Sequence, residues 1–290
     1  NALAFHPTGS WLVSGSRDCT IKFFDCRSFL SSSSSIEQQL AATAAATAAT
    51  TTKQTKKSMR SIKESCNVRT VSFHPTGDFI AVGTDHPIIR LYDVSTFACF
   101  APRDQATATA TATGAITEVH FSAQGNMVAS SSKDGAVRIM DSVNGECVKV
   151  IPKAHSGAEV CSARFSKTSK LVLTSGKDGM IRIWDVGTLK ELRSFVSTSP
   201  PTQKKRLQAT FTWNEEMVVG SDEKSSCGVV FDSRTTATIQ RMTGHTSVVR
   251  CVASSPGEPA LITCSGDCRV RFWIDDPTIL QNQQQSRSSR

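Results

Sequence analysis

One strand–turn–strand unit recurs along this chain at nearly regular spacing, and that recurrence limits the architecture more than any other feature. Its clearest copy, TSGKDGMIRIWD, runs from Thr174 to Asp185. After Gly179 apolar residues alternate with others, the period-two mark of a half-buried strand, and Asp178-Gly179 is a tight-turn pair. One strand therefore ends near Ser175, the chain reverses at Lys177-Asp178-Gly179, and a second strand runs from Met180 to Trp184. Further copies are GSRDCTIKFFD ending at Asp25, GTDHPIIRLYD at Asp93, SSKDGAVRIMD at Asp141 and CSGDCRVRFW at Trp273. A degenerate copy, SDEKSSCGVVFD, ends at Asp232. Successive ends lie 68, 48, 44, 47 and 41 residues apart.

Alternation on either side of these turns predicts six sets of three inner strands. The fifth, Gln208 to Trp213, Met217 to Gly220 and Gly228 to Phe231, is the weakest, and nothing after Trp273 reads as an outer strand. Cys26 to Thr52 and Ala106 to Thr113 are Ser-, Ala- and Thr-rich tracts without apolar periodicity. Such segments have nothing to dock, and disordered inserts are expected there.

A period of about 40–45 residues, with four strands per unit and Gly-His and Trp-Asp signals, resembles the WD-repeat β-propeller family. Trp184-Asp185 is the name-giving pair, Gly244-His245 the Gly-His pair, and Ala154-His155 its near miss. The resemblance implies an all-β WD40 propeller over residues 1–275, with six blades visible. Low-complexity inserts are expected at 26–57 and 104–114, and a polar disordered tail at 276–290. The first set lacks its Gly-His entry turn and the last lacks an outer strand. That pattern is expected of a seven-bladed propeller truncated at its N-terminus; the alternative is six blades closing on themselves.

Composition excludes some classes of function. The net charge of +8 is carried by loops and the tail, in Lys53, Lys56, Lys57, Arg60, Lys63, Lys204, Lys205, Arg206, Arg287 and Arg290. The repeats themselves are near neutral, without the converging basic face and stacking aromatics of a nucleic-acid groove. The ten cysteines form no CxxC pair. The nearest two, Cys264 and Cys268, only flank a turn, so small buried thiols in a reducing compartment are expected instead of a metal centre. No run is apolar enough for a membrane helix.

A His, an Asp and a hydroxyl recur together, which invites a hydrolase reading. They are His155, Thr174 or Ser175, and Asp178 with Trp184, and again His245, Thr263 and Asp267 with Trp273. A set that returns once per repeat reads as structural, and the family resemblance implies a hydrogen-bonded tetrad satisfied within each sheet. Asp18 and Asp134 fill the same turn slot without His or Trp and read as turn chemistry. Lys22, Arg90, Arg138, Arg182 and Arg271 share one register and read as an outward, solvated row. Arg69 and Arg250 share a slot of the innermost strand. With Arg17, His86, Lys133 and Lys177 on the turns of that face, they are the candidate rim for an acidic or peptide partner. Phosphate loops, paired carboxylates and metal-spaced clusters are missing from the sequence, so neither an enzyme nor a cofactor is expected.

Residues outside the repeat consensus narrow the resemblance. SFHPTGDFIAVGTDHPIIRLYD (Ser72 to Asp93), KAHSGAEVCSARFSKTSKLVLTSGKD (Lys153 to Asp178) and GHTSVVRCVASSP (Gly244 to Pro256) are similar to the WD-repeat subunit family of cleavage stimulation factor. That resemblance implies a nuclear, non-enzymatic scaffold of the machinery that cleaves and polyadenylates pre-mRNA. Its implied partner is the large helical-repeat subunit of cleavage stimulation factor, with RNA reached only through the complex and no membrane or small-molecule substrate. Two alternatives stay open at this point. One is a generic WD40 adaptor, such as a ubiquitin-ligase substrate receptor or splicing component; the other is a propeller that binds RNA directly.

Overall fold

In a computed structural model that describes residues 1–27, 58–100, 112–196 and 208–274, every turn of the repeated unit joins two antiparallel strands. The chain divides into two compact units, Asn1–Gly157 and Ala158–Arg290. The first holds three four-stranded sheets. They are β1 (Ala2–Phe5), β2 (Trp11–Gly15), β3 (Thr20–Asp25) and β4 (Arg60–Lys63); β5 (Val68–Phe73), β6 (Phe79–Thr84), β7 (Arg90–Asp93) and β8 (Cys99–Phe100); and β9 (Ile116–Phe121), β10 (Met127–Ser132), β11 (Val137–Asp141) and β12 (Cys147–Ile151). The second unit holds β13 (Val160–Phe165), β14 (Leu171–Gly176), β15 (Met180–Asp185) and β16 (Glu191–Val196); then β17 (Thr210–Phe211), β18 (Met217–Asp222), β19 (Cys227–Asp232) and β20 (Thr238–Met242). Its third sheet has three strands among the described residues: β21 (Val249–Ser254), β22 (Ala260–Ser265) and β23 (Val270–Ile274). Strand order follows chain order in every sheet, as expected of blades built from successive hairpins.

Outside the second sheet, the turn between second and third strands takes a left-handed backbone. Gly135 and Gly179 supply it at φ 82° and 79°, and Cys19 and Cys268 adopt it at 63° and 62° without glycine's freedom. Third strands then bury alternate residues. Ile21 and Phe23 of β3 pack with Val68, Val71 and Tyr92 of the next sheet. Ile181 and Ile183 of β15 pack, with Phe195, against Phe211, Val218 and Phe231. Each such side chain contributes about 1.5–3 kcal/mol by leaving water. The same rows are uncovered, among the described residues, on two strands. Leu3 and Phe5 of β1 are 69% and 64% exposed, and Val270 and Phe272 of β23 are 57% and 71% exposed.

A second device links neighbouring sheets of the first unit. The sequence His-Pro-Thr-Gly closes both the β1–β2 turn (His6 to Gly9) and the β5–β6 turn (His74 to Gly77). His6 lies edge-on to Phe73 at 5.3 Å, and His74 edge-on to Phe121 at 5.1 Å. Each imidazole covers the turn glycine of the following sheet, Gly77 at φ 90° and Gly125 at φ 78°, where a Cβ would overlap the ring. His74 Nε2 also hydrogen-bonds the Gly125 carbonyl at 3.1 Å.

Several sequence expectations change. Residues 112–114, assigned to the second insert, belong to the third sheet's entry: Ala112 is buried, and Thr113 donates its N–H and Oγ–H to Asp134 at 3.0 and 3.3 Å. The fifth sheet has an outer strand, β20, that alternation could not reveal because Thr238 to Arg241 are all exposed. Its first strand is only Thr210–Phe211. The first insert from residue 28, the triplet Lys204-Lys205-Arg206 and the tail lie outside the described residues.

Replacing Gly125 by alanine should cost about 2–4 kcal/mol in urea unfolding, combining left-handed strain with overlap of the His74 ring. His74→Ala on that background should restore part of the loss. Strict additivity of the two changes would show that the imidazole does not cover the glycine.

Candidate functional site

The turn between second and third strands gathers polar groups in each sheet, buried to different extents and paired in several ways. In the last sheet, the Trp273 indole N–H donates to Thr263 Oγ1 at 2.9 Å, and Thr263 Oγ1 meets His245 Nε2 at 2.9 Å. His245 Nδ1 lies 2.9 Å from Asp267 Oδ2. The carboxylate accepts only, so Nδ1 carries the proton and Nε2 accepts the threonine hydroxyl. The chain Trp–Thr–His–Asp is thus satisfied with a neutral imidazole. Asp267 also accepts the N–H groups of Thr246 and Arg269, at 3.1 and 2.9 Å. Burial pushes its carboxyl up, but His245 and those two amides outweigh this and hold it well below the usual range. Thr263 is fully buried, so no substrate reaches the one hydroxyl placed like a nucleophile.

In the sheet of β13 to β16, the Trp184 indole donates to Thr174 Oγ1 at 2.9 Å, and Asp178 pairs with Arg182 at 3.2 Å. Ser175 instead bonds Ser162 at 2.7 Å. His155 is fully buried at the end of the first unit. In the third sheet Met140 stands in the Trp slot and Ala112 in the His slot. Asp134 turns to Arg138 at 2.9 Å, and both side chains are about nine-tenths covered, at 12% and 9% exposure. Burial raises the Asp134 carboxyl, but Arg138 and the N–H groups of Ala136 and Thr113 bring it below its ordinary value. In the first sheet Asp18 caps Thr20 through both N–H and Oγ–H, at 3.0 and 2.6 Å, with Lys22 only 4.0 Å away.

Two networks escaped sequence reasoning. Glu64, four residues before β5 as His245 is before β21, occupies the His slot of the second sheet. Its buried carboxylate accepts both the Tyr92 hydroxyl and Arg90. The signal was Tyr92, the only tyrosine, in the Trp slot. In the fifth sheet Asp222 pairs with Arg241 of the outer strand at 3.0 Å and accepts Ser225 Oγ–H.

The expected solvated row is therefore overturned for its four arginines, while the Lys22 side chain stays 40% exposed, 4.0 Å from Asp18. Arg90, Arg138 and Arg182 lean on the carboxylates beside them, and Arg271 donates to the Gly244 carbonyl at 2.6 Å. A carboxylate four residues before an arginine, across a tight turn, draws the side chain back over the turn instead of outward.

The rim candidates separate by charge balance. Arg69 and Arg250 each sit at a β-bulge of the innermost strand, between Val68 and Thr70 and between Val249 and Cys251. A bulge re-aims the extra residue's side chain. Arg69 is taken by Asp85, which Asn67 Nδ2 also reaches at 2.9 Å. Arg250 has Gly266 at the corresponding turn position and is exposed, with no ion pair among the described residues. Lys177 pairs with Glu159 at 2.7 Å. Arg17 and Lys133 are exposed, and the His86 imidazole accepts the Ile88 N–H at 3.3 Å.

Comparison with known proteins agrees with this geometry. A family model described as WD domain, G-beta repeat matches residues 1–25 and 236–273, and one described as Vps8 beta-propeller matches 52–181. The chain is 36% identical over 94% of its length to Cleavage stimulation factor subunit 50 of Arabidopsis thaliana, covering 57% of that protein. It is 24% identical over 94% of its length to Nuclear distribution protein PAC1 of Arthroderma otae, covering 58% of it. Identity to Pre-mRNA-processing factor 19 homolog 2 of Arabidopsis thaliana is 28%, over 48% of this chain and 21% of that protein. The chain thus spans somewhat more than half the length of the relatives it matches along its own length.

Arg138→Ala leaves the largely covered Asp134 carboxylate without its cation, only the Thr113 and Ala136 donors remaining, and a loss of about 2–4 kcal/mol is expected in chemical denaturation. A silent substitution would return Arg138 to the solvated row. The lowered carboxyls also set an acid limit. Asp134, Asp222 and Asp267 stabilise the fold at every pH above the ordinary carboxyl value near 4, roughly, and that stability is lost as pH falls through their lower folded values. Urea midpoints measured from neutral pH downward should drop below about pH 4, and Asp267→Asn should lower the neutral value while flattening the acid slope. With its repeated units, its six sheets of successive hairpins and its matches to WD-repeat models, the chain has the all-β fold class of the WD40 β-propellers.

Proposed function

We propose that this chain is a non-enzymatic protein–protein interaction scaffold, the WD-repeat subunit of the nuclear machinery that cleaves and polyadenylates pre-mRNA. The observation that carries the reading is the 36% identity to Cleavage stimulation factor subunit 50 along 94% of the chain. The site supports it chemically. The groups that resemble a catalytic set are spent on one another inside a sheet, whereas the turns present charged side chains that the fold does not need. A rigid β scaffold holding such turns suits recognition of another protein.

The partner in this reading is the large helical-repeat subunit of cleavage stimulation factor, met by the turns on the Asp–Gly side of the sheets. Within this reading the candidates are Arg17 and Lys133 on turns of the first unit and, separately, Arg250 on a turn of the second; Arg69, His86 and Lys177 contribute less directly, since Arg69 and Lys177 are neutralised by their own blades. An exposed arginine at an interface is worth about 2 kcal/mol when truncated.

The test is a quantitative pull-down of the large subunit with Arg250→Glu and with Lys133→Glu. Binding should weaken at least about tenfold for Arg250→Glu, with unchanged thermal stability. An undiminished complex would remove this face from the interface. If the chain instead retained RNA on its own, with affinity falling steeply as salt rises, direct phosphate contact would replace the scaffold reading.

A further inference from the structure

At the strand ends opposite the Asp–Gly turns, the first unit contains a groove with chemistry that its sheets do not require. The β1–β2 turn, the β5–β6 turn and the turn after β7 enclose about 490 Å³, with His6, Trp11, Asp78, Phe79 and Asp93 among the lining residues. Among the described residues, neither lysine nor arginine lines it.

The two carboxylates are unevenly used. Asp93 Oδ1 accepts the N–H and Oγ–H of Ser95 and the N–H of Thr96, at 2.7, 2.6 and 2.8 Å, and the Thr96 side chain also bears on the carboxylate, so small neutral donors and no cation attend it. Ser95 foremost holds the Asp93 carboxyl below its ordinary value, so the group is an anion. Asp78 is exposed, and its carboxylate has no partner among the described residues; only its backbone is engaged, the N–H by Thr76 Oγ1 at 3.4 Å and the carbonyl by the Val94 N–H at 2.8 Å. In the first sheet the residue matching Asp93 is Asp25, and there Arg27 closes the carboxylate at 2.7 Å. No cation follows Asp93.

The equivalent groove between the second and third sheets is closed differently. Ser142 Oγ–H donates to the Gly125 carbonyl at 2.5 Å, beside the His74 imidazole. The residue matching Ser142 in the first groove is Val94, which has no such donor. What remains is an aromatic wall, Trp11 with the 38%-exposed Phe79, next to two anionic groups.

We propose that this groove binds the side chain of an arginine presented by a partner polypeptide. The guanidinium meets the Asp78 and Asp93 carboxylates and the stem lies along Trp11 and Phe79. A planar, weakly hydrated cation with several donors suits two separate carboxylates and an indole face better than the compact ammonium of lysine does. The proposal concerns the opposite ends of the strands from the interface with the large subunit, and stands or falls separately from it.

The test titrates the full 290-residue chain with a capped Gly-Gly-Arg-Gly-Gly peptide and with its citrulline and lysine counterparts, followed by calorimetry and NMR. Saturable binding of the arginine peptide is expected. The citrulline peptide and the Asp78→Asn variant should each bind at least about tenfold more weakly, the loss of one charge-assisted contact. Asp78→Asn should melt as the parent does, because that carboxylate supports no contact within the fold. Three results overturn the proposal: no saturable binding of the arginine peptide, equal binding of arginine and citrulline peptides, or Asp78→Asn binding like the parent. Equal binding of the lysine peptide would overturn the guanidinium assignment, leaving charge alone as the determinant.

Discussion

A polar group taken out of water inside a sheet must find a partner, and the turn between second and third strands forces this on most of the blades. Burying an unpaired carboxylate costs several kcal/mol, enough to erase a large part of a domain's net stability. The last sheet meets the constraint with His245, Thr263 and Trp273 around Asp267. The third meets it with Arg138, and the fifth with Arg241 reaching in from the outer strand to Asp222. The second sheet inverts the arrangement: Glu64 brings the anion on the entry segment, and Arg90 and Tyr92 supply the donors. What repeats is the obligation to pair at one position, not the identity of the pair.

This explains which parts of the fold were legible in the sequence. Turn chemistry and period-two burial act within about ten residues, so the β2–β3, β10–β11, β14–β15 and β22–β23 hairpins were visible directly. Partners that come from another segment were not. Glu64 lies 28 residues from Tyr92, and nothing local marks it as the group that replaces a histidine. The row from Lys22 to Arg271 was misjudged because strand alternation assigns a face but not a rotamer. Placed on the polar side of β11, Arg138 still folds back over its turn because Asp134 is there. The outer strand β20 was hidden for the opposite reason: with Thr238 to Arg241 all exposed, it leaves no alternation to read.

The sheets are tied to their neighbours by means equally invisible to a repeat consensus. His6 and His74 lie on turns where a consensus notes only proline and glycine, yet each fills space that the next sheet's glycine leaves open. Glycine there serves close approach as much as turn geometry, since at Gly77 and Gly125 both the positive φ and the imbedded ring exclude a side chain. Local turn chemistry and packing between sheets thus converge on one residue, the kind of agreement between levels that specifies a single structure.

The same logic separates residues the fold needs from residues left over for recognition. Arg69 and Arg250 occupy equivalent bulges, and by strand position alone they are interchangeable. One turn residue divides them: Asp85 in the second sheet neutralises Arg69, and Gly266 in the last leaves Arg250 unopposed. A guanidinium already paired must surrender its partner before it can bind another, and the cost of that exchange offsets most of the gain. An unpaired, exposed one surrenders only water. Asp78 stands in the same position with opposite sign at the other end of the strands, a carboxylate that stabilises nothing around it. Side chains of this kind are where binding energy is available, because the architecture has no prior claim on them.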